Sequence, residues 1–259
     1  MEELQGGREG QIYRVNNQVY RPSQKWTPSI HLLLNHLKAE SFDAAPQVFG
    51  INRDGYEILS YLEGDVFNYP LVGPVASMEA LSSAGRLLRQ YHDVSASWIQ
   101  SDKHQDLEWM LPSREPQEVI CHGDFAPYNA VLDGNTVIGI IDFDTAHPAP
   151  RIWDVAYAVY CWAPFKTHPN DALGELKEQS VRARVFCDSY GLSHENRLQL
   201  VDIMIARLNA LVDFMVSEAN SGDASFAQNI NNGHHLSYLE DAQYLERNKN
   251  EITSIICSF

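Results

Sequence analysis

Three oxygen-bearing side chains stand near one another in the chain. Asp124 is followed by Asn129 in a D-x-x-x-x-N spacing, and Asp142 closes an apolar run soon after. A carboxylate that can orient a hydroxyl and take its proton, beside an amide carbonyl and a second carboxylate able to hold a hard cation, suits phosphoryl transfer assisted by Mg²⁺. The elements that must position these groups lie in the same stretch. Residues 118–121 read as a short buried strand that delivers His122, Gly123 and Asp124 to a loop. The apolar runs 130–132 and 136–141, separated by Asp133-Gly134-Asn135, read as a hairpin whose second strand opens into a loop at Asp142.

The spacing matches the protein-kinase catalytic loop and the metal aspartate that follows it, which makes Asp124 the candidate base and Asn129 and Asp142 the candidate metal ligands. With Gly123 where protein kinases carry arginine, His122-Gly123-Asp124 and Asn129 resemble the aminoglycoside phosphotransferase family of kinase-like small-molecule phosphotransferases. Asp142-Phe143-Asp144 stands in place of DFG, and Asp154 falls where that family keeps a further aspartate. The resemblance spans residues 6–160 and extends to the helical remainder. It implies an α+β, two-lobed protein-kinase-like fold, with a small antiparallel-sheet lobe over residues 1–62 and a mostly helical lobe over 63–259. It also implies transfer of the γ-phosphoryl group of ATP or GTP to a hydroxyl of a small molecule. An aminoglycoside-like acceptor comes first, a metabolic alcohol of the choline, homoserine or thiosugar type second. A catalytically silent, nucleotide-binding pseudokinase is the rival from another class.

Several residues carry two readings. His122 reads as a brace for the loop, with a base as the alternative; Asp144 is a second metal ligand or a loop acceptor; Asp154 is a brace of the helical lobe or the cap of a helix beginning near Val155. In the small lobe, residues 11–15 and 18–22 form a hairpin around Asn16-Asn17, preceded by glycines at 6, 7 and 10 that suit a phosphate-covering loop or a flexible terminus. The resemblance assigns Arg21 to the α- and β-phosphates, where the family pattern has lysine. It assigns the backbone of Ser60, Tyr61 and Leu62, at the end of a strand over residues 56–62, to a purine edge. Thr27-Pro28 announces a helix ending near Glu40 with apolar positions Ile30, Leu33, Leu34 and Leu37. No acidic residue lies between Thr27 and Ala39, so the helix glutamate that would pair with Arg21 is missing.

A helix is expected over 77–92 with His92 at its C-terminal end, followed by an irregular connection over 94–117. Helices are expected over 155–162, 171–190, 193–219 and 236–248, with a polar loop or lid over 229–235. The resemblance places the acceptor pocket in this region, where Asp202, Asp213, Glu218, Asp223, Glu240 and Asp241 are candidate contacts for a cationic acceptor or members of a solvated acidic helix surface, with Trp162, Tyr238 and Tyr244 as aromatic faces.

Acidic residues outnumber basic ones 34 to 19, for a net charge of −15, which argues against nucleic acid or an anionic membrane as partner and favours a cationic acceptor. No apolar run is long enough to span a bilayer, and the first residues lack a basic, apolar leader pattern, so a cytoplasmic protein is expected. The four cysteines form neither a CxxC pair nor a metal pattern and are expected to be reduced.

Overall fold

The computed structural model describes residues 2–4, 11–101 and 106–258. The glycine stretch at 6–10 lies outside them. The chain divides into two compact units, the first built from Met1–Val66, Leu87–Phe125 and Asn129–Arg151, the second from Phe67–Arg86, Ala126–Tyr128 and Ile152–Phe259.

The first unit carries an antiparallel sheet in the order β1-β2-β3-β5-β4. Its strands are β1 (Glu2–Glu3), β2 (Tyr13–Val15), β3 (Gln18–Pro22), β4 (Val48–Ile51) and β5 (Tyr56–Ser60). Asn16, in the left-handed region with φ 55, and Asn17 turn β2 into β3, as their side-chain chemistry allows. Helix α1 (Thr27–Ala39) buries Ile30, Leu33, Leu34 and Leu37 at helical spacing and packs on β4. It starts at Thr27 rather than after it: Thr27 Oγ1 accepts the Gln24 amide at 2.7 Å, and Pro28 fills the first turn, where no amide donor is needed.

Two ribbons complete this unit. Strand β6 (Val119–Cys121) pairs with β9 (His147–Ala149), and β7 (Ala130–Asp133) pairs with β8 (Thr136–Ile140). The chain therefore runs β6, loop, β7, β8, loop, β9. Because the outer strands pair with each other and the inner strands with each other, the loops at 122–129 and 141–146 must lie side by side. Gly64 braces the hairpin: its neighbour Asp65 exchanges both backbone hydrogen bonds with Leu132 at 2.8 Å, and a Cβ on Gly64 would stand 2.6 Å from the Leu132 carbonyl oxygen.

The helix expected to end at His92 is α2 (Met78–Gln100), which continues for two more turns. Leu88, Tyr91, Ser95 and Trp98 form one unbroken buried stripe, so the polar residues after His92 belong to the helix's other faces. His92 is fully buried within the helix and is no C-terminal dipole partner.

The second unit is helical, with α3 (Arg151–Trp162), α4 (Leu176–Tyr190), α5 (His194–Asn220), α6 (Ala224–Asn231) and α7 (His234–Ile256). Its core gathers Trp162, Phe165, Phe186, Met204, Leu245 and Ile252, each of which withholds about 1.5–3 kcal/mol of apolar surface from water. Ser193 caps α5 by accepting the Asn196 amide, and the Glu178 carboxylate accepts the Glu175 amide at the start of α4. The polar run 229–235 is not a loop: α6 and α7 occupy most of it, and only Asn232 and Gly233, the latter at φ 77, break the helix. Gly85 lets α2 approach α4, since a Cβ there would lie 2.9 Å from the Phe186 carbonyl oxygen.

None of the four cysteines is in a disulfide; Cys121, Cys161 and Cys187 are buried, and burial pushes the Cys187 thiol up to about 12. Among the described residues no helix is long and apolar enough to cross a membrane.

Candidate active site

The loop after β6 is locked from beneath by His122. Its Nδ1 accepts the Asp124 amide at 3.3 Å, so its Nε2 carries the hydrogen and donates to the Ile141 carbonyl at 3.0 Å. The ring is fully buried and meets Phe143 edge-on at 4.7 Å between centroids. With both nitrogens committed, His122 is the brace and not the base. It ties the Asp124 loop to the residue that precedes Asp142.

Gly123 explains why this chain has no arginine before the aspartate. Its φ of +84 suits glycine, and a Cβ would press into the Thr145 backbone carbonyl. Thr145 Oγ1 also donates to the His122 carbonyl at 2.9 Å, which clasps the two loops together. Gly123→Ala is expected to destabilise the protein by about 3 kcal/mol or more, from backbone strain plus overpacking. A lowered midpoint in urea unfolding would show it; an unchanged midpoint would mean that the loops are not held this closely.

Asn129 is joined to Asp124 directly. Its Nδ2 donates to the Asp124 carbonyl at 2.9 Å and to Asp124 Oδ2 at 2.8 Å. Both amide hydrogens are thereby spent, and Oδ1 is the atom left to act as a ligand. The Asn129 carbonyl accepts the Ile141 amide at 3.0 Å, which sets Asp142 beside it. Asp142 adopts the left-handed region (φ 62, ψ 68), where aspartate is one of the few tolerated residues, and its side chain is 47% exposed.

Arg21 reaches the same place from β3. Its Nη1 donates to Asp142 Oδ1 at 2.7 Å, its Nη2 to Asp144 Oδ1 at 2.8 Å and its Nε to Glu57 Oε1 at 2.5 Å. Glu57 lies opposite Arg21 in the β3–β5 register, and its second oxygen accepts from His31 Nε2 of α1 at 2.9 Å. Burial pulls the Arg21 guanidinium down, but Asp144, Asp142 and Glu57 outweigh it and hold the group above its ordinary pKa. The partner that α1 lacks is thus supplied by the neighbouring strand, with α1 contributing a histidine one step removed. Sequence reading passed over both Glu57 and His31. A carboxylate inside the apolar strand Tyr-Glu-Ile-Leu-Ser was the available signal, since such a group is buried only when paired.

At the end of β5, Ser60 donates its amide to the Gln47 carbonyl at 2.8 Å and Tyr61 its amide to the Asn17 carbonyl at 3.0 Å. The Tyr61 ring lies under the Arg14 guanidinium, 3.6 Å from its centroid, and Leu62 packs near Gly139. The strand is two residues shorter than expected, so Tyr61 and Leu62 have left the sheet.

In the second unit, several candidate acceptor contacts have structural partners instead. Asp202 pairs with Lys249 at 2.5 Å, Asp223 caps α6, and buried Asp241 accepts from Tyr160 Oη at 2.7 Å and from the Thr167 amide and hydroxyl at 2.7 and 2.8 Å. Trp162 is fully buried, and Tyr244 donates to Gln179. Tyr160 and Tyr69 each face a cation, with Lys166 Nζ at 4.3 and 5.0 Å from their centroids, and Arg207 lies over the Tyr157 and Trp153 rings at 4.5 and 5.6 Å. Asp154 is buried inside the first turn of α3 and is not its cap.

The Asn129 amide oxygen, the Asp142 carboxylate, the Asp124 carboxylate tied to Asn129 and the buried Arg21 guanidinium make a site suited to a hard cation and a phosphorylated ligand. Among the described residues no cluster of three or more His, Cys, Asp or Glu is arranged to hold a metal.

Residues 97–185, which contain both loops, match the phosphotransferase enzyme family. The chain is also 34% identical over 210 residues to the trifolitoxin immunity protein of Rhizobium leguminosarum bv. trifolii, with 78% of each chain covered. The chain belongs to the phosphotransferase enzyme family. The fold of this phosphotransferase is similar to that of a choline/ethanolamine kinase family protein from Mesorhizobium loti, with a TM-score of 0.61 at 12% identity over 99% of this chain and 92% of the other. A GDP complex of an aminoglycoside 2'-phosphotransferase mutant gives 0.59 at 13% identity, over 97% of this chain and 93% of the other. These likenesses establish a two-lobed, protein-kinase-like α+β fold.

Proposed function

We propose that this phosphotransferase moves the γ-phosphoryl group of ATP or GTP to a hydroxyl of a small molecule, most readily an aminoglycoside-like or other antimicrobial compound. The observation that carries the reading is the bond between Asn129 and Asp124 together with the Asn129–Ile141 link to Asp142, which gathers the three side chains on loops that His122 clamps together. In this reading Asp124 orients the acceptor hydroxyl and takes its proton. Asn129 Oδ1 and Asp142 would hold Mg²⁺, which when bound neutralises charge on the phosphates. Arg21 spends three of its N–H groups on carboxylates and keeps two for phosphate. Because the Ser60 and Tyr61 amides are committed, purine recognition in this segment falls to its carbonyls and to the amides from Leu62 onward. Residues 1–62 then act as the nucleotide lobe and residues 63–259 as the catalytic and acceptor lobe, in a cytoplasmic enzyme.

The immunity role in the name of the 34% identical relative supports an antimicrobial acceptor over a metabolic alcohol. The Arg21–Glu57 pair removes one argument for a silent pseudokinase, the absence of a carboxylate from α1. The test is Mg²⁺-dependent release of ADP or GDP against a panel of aminoglycosides, other antimicrobial compounds, choline, homoserine and sugars. Acceptor-stimulated turnover names the substrate class. Nucleotide binding without turnover on the whole panel would favour the pseudokinase.

A further inference from the structure

Arg21 does more in this fold than a phosphate ligand needs to do. It stands opposite Glu57 across the β3–β5 pair, so the two side chains share a face of the sheet. Glu57 is nearly inaccessible and is held on its far oxygen by His31, which makes it a fixed post rather than a mobile surface charge. Bonded to that post through Nε, the guanidinium plane has its remaining direction set, and its two Nη atoms point at Asp142 and Asp144. Three nitrogens thus meet three different carboxylates. Lysine, a point charge on a flexible stem, has no rigid fork with which to fix them at once.

Resting on the phosphotransfer reading above, we propose that Arg21 is a positioning residue for Asp142, anchored by Glu57 and His31, which aims that carboxylate at the cation accompanying the nucleotide. The physical need is visible in the backbone. Asp142 is half-exposed and sits in the sparsely populated left-handed region, where its side chain would otherwise sample several directions. With Oδ1 bonded to Arg21, Oδ2 is the oxygen left to meet the cation. Asp144 then serves as the second support of the same fork, which accounts for a charged residue where the kinase pattern has glycine.

The experiment is a titration of Mn²⁺ by electron paramagnetic resonance into the full chain with the β,γ-imido analogues of ATP and GTP. It is run on wild type, Arg21→Lys and Glu57→Gln, alongside nucleotide binding by calorimetry in EDTA. Neither Arg21 nor Glu57 is a candidate ligand of the metal, and Glu57→Gln is isosteric, so it keeps its shape should Arg21→Lys loosen the sheet. Both variants are expected to bind Mn²⁺ about tenfold or more weakly, as for other outer-shell partners of a metal ligand. In Glu57→Gln the metal-free nucleotide affinity should fall by less than the Mn²⁺ affinity does. Mn²⁺ affinity equal to wild type in both variants would overturn the inference, and so would a loss confined to metal-free nucleotide binding, which would make Arg21 a phosphate ligand only. A wild-type chain that binds neither nucleotide with Mn²⁺ would overturn the phosphotransfer reading itself, and this inference with it.

Discussion

Asp124→Asn is expected to lower acceptor-stimulated turnover by about 10² or more while nucleotide affinity stays close to that of wild type. The substitution keeps the shape of the side chain, and an asparagine oxygen can still accept the Asn129 amide that now meets Oδ2. What disappears is basicity: an amide cannot take the proton of the acceptor hydroxyl. The loop should survive, because its clamps are His122 to the Ile141 carbonyl and Thr145 to the His122 carbonyl, neither of which involves the Asp124 carboxylate. The measurement is steady-state turnover beside calorimetric nucleotide binding for both proteins. Equal turnover in the two would end the assignment of Asp124 as base. Loss of nucleotide binding together with turnover would point to a collapsed loop instead.

Asp142→Asn is expected to have a larger effect, a fall in turnover of about 10³, because several kcal/mol of charge stabilisation leave with the ligand's negative charge. Asparagine also tolerates the left-handed region, so the backbone at φ 62 is kept. Stability should move the other way from activity. Glu57, Asp142 and Asp144 crowd three carboxylates around one guanidinium, and removing one charge relieves their mutual repulsion while an amide oxygen still accepts from Arg21. The thermal midpoint is therefore expected to be equal to or above that of wild type. Turnover within tenfold of wild type at saturating Mg²⁺ would exclude Asp142 as a metal ligand.

That combination, lower activity at unchanged or higher stability, describes a site whose charges are arranged for a ligand and not for the fold. The clasp at Gly123 is the opposite case. It contributes to holding the loops whether or not anything binds.

What the chain's own residues determined were the features that depend on local chemistry. The D-x-x-x-x-N spacing, the turn at Asp133-Gly134-Asn135 and the buried stripe of Ile30, Leu33, Leu34 and Leu37 each act over a few residues, and so can be read without knowing what lies opposite. The strand β9, with only three residues and a central proline, had no such signal and exists because β6 needs a partner. The Asn-rich run at 229–235 misled for a related reason: its weak helix propensity is overridden by packing of α6 and α7 on α5. The extension of α2 past His92 was legible only in the spacing of Ser95 and Trp98, which a polar composition disguised.

Only the tertiary structure decided which carboxylate serves Arg21. The pairing depends on register, since Glu57 meets Arg21 because β3 and β5 align those residues, and a slip of one residue would turn Glu57 to the other face. Asp142 and Asp144 reach the same guanidinium across more than a hundred residues of chain, through loops fixed by Gly123, His122 and Thr145. Side-chain types declare which chemistry is available, whereas the choice of partner is a property of distance, and distance is set by how the strands pair.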